Sequence, residues 1–312
     1  MGGTGSFFRG ESKPRELLKK VREAEAQAKD QEFEIEVSKI IGDLLADYNG
    51  RDVEATNTHL DEIKKALEKE IEGTTDLRFG GSVAKHTYVD GLSDIDSLVI
   101  LNNSELKNKT PDEVLEYFFG RLKDRFPDSK VEKGTLAVTV KFRDTEIQLL
   151  PAIKYRTGLR IRDASTNDWN FVKQDLFSKQ LMSLNEKMSL KLVPTIKLAK
   201  SIIANLPEDR QLNGYHVESL AAEIFEDYNG PATPKAMLTT FFAECPKHVL
   251  KPISDPSGQS TNVDEYLGAT GSLERRLVAD ALGRIARRMQ NADGGRLVDE
   301  WRDILTSGVE QK

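Results

Sequence analysis

Residues Gly80 to Leu101 read GGSVAKHTYVDGLSDIDSLVIL, a Gly-Gly-Ser turn followed by two aspartates, Asp94 and Asp96, with one isoleucine between them. DSLVIL is a short run of aliphatic and β-branched residues, the pattern of a buried strand, and LRFGGS before it reads as a strand entering a turn. A strand's two-residue period puts Asp94 and Asp96 on one face and turns Ile95 to the other. Carboxylates so placed repel each other unless a cation lies between them. Ligands made only of oxygen favour magnesium or manganese over zinc. In Gly80, Gly81 and Ser82 the backbone N–H groups can approach a phosphate without obstruction from Cβ, and the Ser82 hydroxyl adds a donor. A phosphate cradle beside a divalent-cation clamp points to a nucleoside triphosphate and to nucleotidyl transfer.

The chain around this stretch has 312 residues, with 38% hydrophobic and 31% charged, enough for two packed domains or one bilobed body. No apolar run approaches the ~18 residues of a membrane helix. The start, MGGTGSFFRGESKPRELLKK, lacks the apolar region of a signal peptide, so a cytoplasmic protein with no membrane partner is expected. A single cysteine, Cys245, excludes an internal disulfide, and only four histidines leave little for a zinc site. The net charge of -6 argues against gripping long nucleic acid, which needs a basic stripe. Arg276, Arg284, Arg287 and Arg288 fall near helical spacing and read as a solvated face.

From Lys13 to Lys69 the pattern is helical, with Val37, Ile40, Ile41, Leu44 and Leu45 at three-to-four spacing. Thr110 and Pro111 open another helix as N-cap and first helical residue, over residues 110–126. Two strands follow, SKVEKGTLAVTVKFR and TEIQLLPAI, and from Phe177 the chain turns helical. The expected fold is α+β and bilobed, with a mixed-sheet core. Residues 1–160 would form an N-terminal helix plus the α/β core, and residues 161–312 a helical domain.

The Gly-Ser turn with Asp-x-Asp resembles the polymerase-β-like nucleotidyltransferase superfamily. More narrowly, YNGRD at Tyr48 to Asp52, the stretch from Gly80 to Leu101, Leu-Leu-Pro-Ala at Leu149 to Ala152, and GYHVESLAAEIF from Gly214 are similar to the bacterial CD-NTases. Those are relatives of cyclic GMP-AMP synthase and 2′-5′ oligoadenylate synthetase that make cyclic oligonucleotide signals in anti-phage defence, acting on effectors through their product. The resemblance covers about Tyr48 to Met289. It implies that Gly81 and Ser82 hold the donor triphosphate, that Asp94 and Asp96 bind Mg²⁺ (or Mn²⁺), that Lys197, or Lys200, meets the donor phosphates, and that Tyr215 stacks on the donor base. The substrates would be NTPs.

One departure stands out. The family's third carboxylate precedes Leu-Pro-Ala in a frame like Val-Asp-Leu-Val-Pro-Ala, whereas this chain has Ile147-Gln148-Leu149-Leu150-Pro151-Ala152. An amide lends an oxygen to a metal but takes no proton. Glu146 lies on the same strand face, ~7 Å away along the chain. Three outcomes are open: Glu146 substitutes, Gln148 suffices with a weaker catalytic metal, or only nucleotide binding remains. The competing functions are accordingly a cyclic oligonucleotide synthase, an RNA-end or linear-oligomer transferase, and an NTP-sensing pseudoenzyme.

Overall fold

The computed structural model describes residues 14–49, 53–68, 76–79, 81–89, 95–101, 105–143, 145–156, 158–163, 166–172, 174–255 and 260–306. Asp94 and Gly80 lie outside the described residues. Two helices, α1 (Pro14–Asp47) and α2 (Val53–Glu68), stand where one long helical stretch was expected. They lead into β1 (Asp76–Phe79), a single helical turn α3 (Gly81–Ala84), β2 (Ile95–Ile100) and α4 (Pro111–Arg125). Thr110 caps α4 as its composition predicts, within a reciprocal capping box with Glu113.

The first of the two later strand runs is a hairpin, β3 (Lys130–Lys133) with β4 (Val138–Lys141), ahead of β5 (Glu146–Tyr155). The sheet order is β1-β2-β5-β4-β3, in which only β2 and β5 run parallel. It then continues beyond residue 160 through β6 (Gly158–Arg162) and β7 (Trp169–Val172). This extension differs from the division expected near residue 160. KYRTGLRIR carries too many basic residues to read as a strand, but Lys154 pairs with Leu159 and Tyr155 with Gly158, and Arg156 has a φ of 51°.

The two faces of the sheet have different neighbours. Val99 of β2 and Leu101 just after it, with Ile147 and Leu149 of β5, pack against Ile63 and Leu67 of α2 and against Val114, Phe118 and Leu122 of α4. The opposite face, with Leu98, Ile100 and Ala152, joins Ile161 and Val172 in a second, smaller cluster. By the strand period Asp96 and Gln148 belong to this second face, away from α2 and α4.

The remainder is helical: α5 (Gln174–Lys187), α6 (Leu192–Ala204), α7 (Gly214–Phe225), α8 (Pro234–Val249), α9 (Leu273–Gly295) and α10 (Val298–Thr306). Their core includes Leu220, Phe225, Phe241, Phe242, Leu282 and Trp301. It also takes in Phe33, Val37, Ile41 and Leu44, the apolar stripe of α1, and Tyr48 just after it. Thus α1, expected with the strand half, shares its core with the C-terminal helices because that stripe recurs every three to four residues. Lys235 of α8 binds Glu34 at 2.5 Å and Asp293 at 2.8 Å, which ties α1 to α8 and α9.

On α9, Arg276, Arg284, Arg287 and Arg288 are exposed, as expected of a solvated face. Arg275 is fully buried instead. It donates to Asp264 at 2.7 Å and to the carbonyls of Val249, Lys251 and Gly268.

Candidate active site

The site forms where β1, α3 and β2 meet the helical half. Gly81 and Ser82 lie in the first turn of α3, and the Ser82 backbone N–H bonds to the carboxylate of Asp96 on the next strand. The turn and the second aspartate are therefore joined directly. Burial pushes the Asp96 carboxyl above its ordinary value. The positive charge of Lys85, the Ser82 bond and the charge of Lys200 act against this, while Glu218 adds to it.

Behind Asp96 lies a buried ionic cluster. Glu218 of α7 is 1% exposed. One of its carboxylate oxygens accepts from Lys200 at 2.7 Å and from the Thr87 hydroxyl, and the other pairs with Lys85 at 2.8 Å. Lys200 also donates to the Thr87 carbonyl at 3.1 Å and to the Thr87 hydroxyl oxygen at 3.3 Å. Burial alone would raise the Glu218 carboxyl, but the ammonium groups of Lys200 and Lys85 overcome it and hold the group below its usual range. Burial lowers Lys200, with Glu218 opposing. Gly214, at the start of α7, makes room for this lysine, since a Cβ there would lie 3.3 Å from its Nζ.

Gln148 is the register partner of Asp96 across the parallel pair of β2 and β5. The amide therefore stands beside the carboxylate on the same sheet face. Glu146 is set differently: it lies opposite Lys141 of β4 and pairs with its ammonium at 2.9 Å.

Tyr215 is brought to this cluster. Its ring lies 5.2 Å from the Lys85 ammonium and stands edge-on to Phe177 at 5.2 Å, and its hydroxyl donates to Asp255 at 2.7 Å. Lys197 binds Asn49 at 2.5 Å. It lines a cavity of about 320 Å³ with Tyr48, His86, Tyr88 and Pro194. Of the two lysines weighed for the donor phosphates, Lys200 is the one whose charge acts on Asp96. Glu218 carried no role in the sequence reading. Its signal was a single acid within an otherwise apolar helical run, VESLAA.

Among the described residues no group of three or more His, Cys, Asp or Glu side chains forms a metal site. Asp96 and Gln148 nevertheless offer hard oxygen donors side by side. A cation there would offset the burial penalty on the carboxylate, so the residues fit magnesium or manganese.

Residues 36–185 match the family model of the Second Messenger Oligonucleotide or Dinucleotide Synthetase domain. That stretch therefore carries the second-messenger synthetase domain. The chain shares its fold with CdnC from E. coli MS115-1 in a complex with HORMA-deltaN. The TM-score is 0.67 at 16% identity, covering 87% of this chain and 97% of that one. CdnG of Bradyrhizobium diazoefficiens, solved with GTP, gives 0.67 at 12% identity over 88% and 97% of the two chains. Escherichia coli DncV, solved with 3′-deoxy GTP, gives 0.65 at 10% identity over 95% and 90%. Comparison with curated proteins finds no match. Among the described residues no helix is long and apolar enough to cross a membrane.

Proposed function

We propose that this protein is a CD-NTase that joins nucleoside triphosphates into a cyclic oligonucleotide, which acts as a second messenger in anti-phage defence through an effector that binds the product. Each joining step forms a bond from a 3′ or 2′ hydroxyl oxygen to an α-phosphorus, releases pyrophosphate and frees the hydroxyl proton. The observation that carries this reading is the hydrogen bond from Ser82 to Asp96, which joins the Gly81-Ser82 turn to a buried carboxylate.

In this reading Gly81 and Ser82 receive the donor phosphates, Asp94 and Asp96 hold Mg²⁺ or Mn²⁺, and Tyr215 supports the donor base. A divalent cation bound there would supply stabilisation of the charge developing on the phosphoryl oxygens. Lys85 and Lys200 add positive charge on the side away from solvent. Gln148 contributes an amide oxygen in the place of the third acid, so turnover persists but the hydroxyl proton lacks an adjacent carboxylate. Glu146 could take that proton only after releasing Lys141. The acidic chain favours small acceptors over RNA ends.

A second reading, an NTP-binding pseudoenzyme, is favoured by the same two facts, that Gln148 partners Asp96 and that Glu146 is engaged by Lys141. Incubation with the four labelled NTPs and Mg²⁺ or Mn²⁺, followed by phosphatase, separates the two. A phosphatase-resistant small product supports the synthase. NTP binding with free nucleosides alone after digestion supports the pseudoenzyme.

A further inference from the structure

We infer that Glu218 is a positioning residue for the phosphate-holding turn and for Asp96, acting through the segment from Ser82 to Thr87. The inference rests on the nucleotidyl-transfer reading of that turn. Its geometry is a converging set of bonds. Lys85 and Thr87, two of the three partners of Glu218, lie on the segment itself. The third, Lys200, donates back to the carbonyl and hydroxyl of Thr87. Thr87 in turn closes on the turn, its N–H reaching the Ser82 carbonyl at 2.9 Å and its hydroxyl the same oxygen at 3.4 Å. The Ser82 N–H ends the path on Asp96. A buried carboxylate on a helix of one half thus fixes, through a few bonds, the segment that carries the candidate phosphate donors of the other.

The chemistry requires a carboxylate. One oxygen accepts from Lys200 and Thr87, and the other forms an ion pair with Lys85 at 2.8 Å. A glutamine of the same shape has one acceptor, and its NH₂ would face a donor. Either the Lys85 link or the Thr87 and Lys200 link must then open, and the segment loses half of its anchorage. Bonds to charged partners of this kind are worth enough that losing one changes an affinity by about tenfold or more. Glu218 is too deeply buried to touch substrate, so its effect is indirect.

The test compares wild type, Glu218→Gln and Thr87→Val by calorimetric titration with ATP, GTP, CTP and UTP in turn, each with Mg²⁺. Thermal midpoints and, where product forms, KM and kcat are measured alongside. The expected result is a dissociation constant about tenfold higher in folded Glu218→Gln and about threefold higher in Thr87→Val, matched by KM more than by kcat. Glu218→Asp, which keeps both acceptors, should recover part of the loss. A folded Glu218→Gln that binds within about twofold of wild type overturns the inference. If that variant does not fold, an unchanged Thr87→Val overturns it instead. Wild type that binds NTP without forming product would sink the synthase reading while leaving this comparison intact.

Discussion

Asp96 and Gln148 are register partners on adjacent parallel strands, a carboxylate beside an amide on the sheet face turned away from α2 and α4. The arrangement removes the repulsion of a second acid there and, with it, a proton acceptor. Gln148→Asp should therefore raise turnover by roughly a hundredfold, the low end of what a positioned base contributes. Glu146→Ala should leave wild-type turnover within about threefold, because Glu146 is occupied by Lys141. Initial rates of pyrophosphate release measure both. No gain in Gln148→Asp, or abolition in Glu146→Ala, would transfer the role to Glu146.

Burial raises the Asp96 carboxyl, so the folded chain binds that proton more tightly than the unfolded chain does. Its contribution to stability is fully present below the ordinary carboxylate pKa and is lost as pH rises through the folded value. At pH 7 the charged group costs stability in the absence of a cation. Asp96→Asn should abolish product yet melt at or above the wild-type temperature at pH 7, with the gap closing as the solution is acidified. Mg²⁺ should raise the melting temperature of wild type only. A variant that melts several degrees lower would refute this electrostatic account.

His216, buried behind Tyr215, is lowered to about 4 chiefly by burial, with Asp264 raising it and Arg275 lowering it. Its Nδ1 lies 2.8 Å from the Tyr266 hydroxyl. Here the unfolded chain binds the proton more tightly, so stability falls as pH drops from about 6.5 towards about 4. Between pH 7 and pH 5 the loss is at most about 2 kcal/mol. Urea unfolding of wild type and His216→Asn at the two pH values isolates it. A variant with the same pH slope as wild type would exclude His216 as its source.

The ring and the hydroxyl of Tyr215 have separable roles. Tyr215→Phe forfeits the bond to Asp255, about 1 kcal/mol of stability, and should leave the KM for NTP within about twofold. Tyr215→Ala removes the stacking surface, worth ~1–3 kcal/mol, and should raise KM between about fivefold and a hundredfold. Equal KM values in the Ala variant and wild type would assign the ring to the core alone.

Much of this was legible in the chain itself, where the pattern was local. The strand period of DSLVIL and the Thr110 cap each depend on a few neighbouring residues, and both elements formed where expected. What sequence did not show was set by distant partners. The buried Glu218 is explained by Lys85, Thr87 and Lys200, all distant from it along the chain. The docking of α1 on the C-terminal helices depends on its apolar stripe meeting their distant core residues. Glu146 and Gln148 looked alike along one strand, and only the cross-strand neighbours, Lys141 on one side and Asp96 on the other, separate them.

The most direct test of the central claim is the fate of labelled NTPs incubated with wild-type protein and Mg²⁺ or Mn²⁺, then digested with phosphatase and resolved by chromatography. The account predicts a small phosphatase-resistant product that disappears in Asp94→Asn/Asp96→Asn. Free nucleosides alone from wild type, or a product that survives in the double variant, would contradict it.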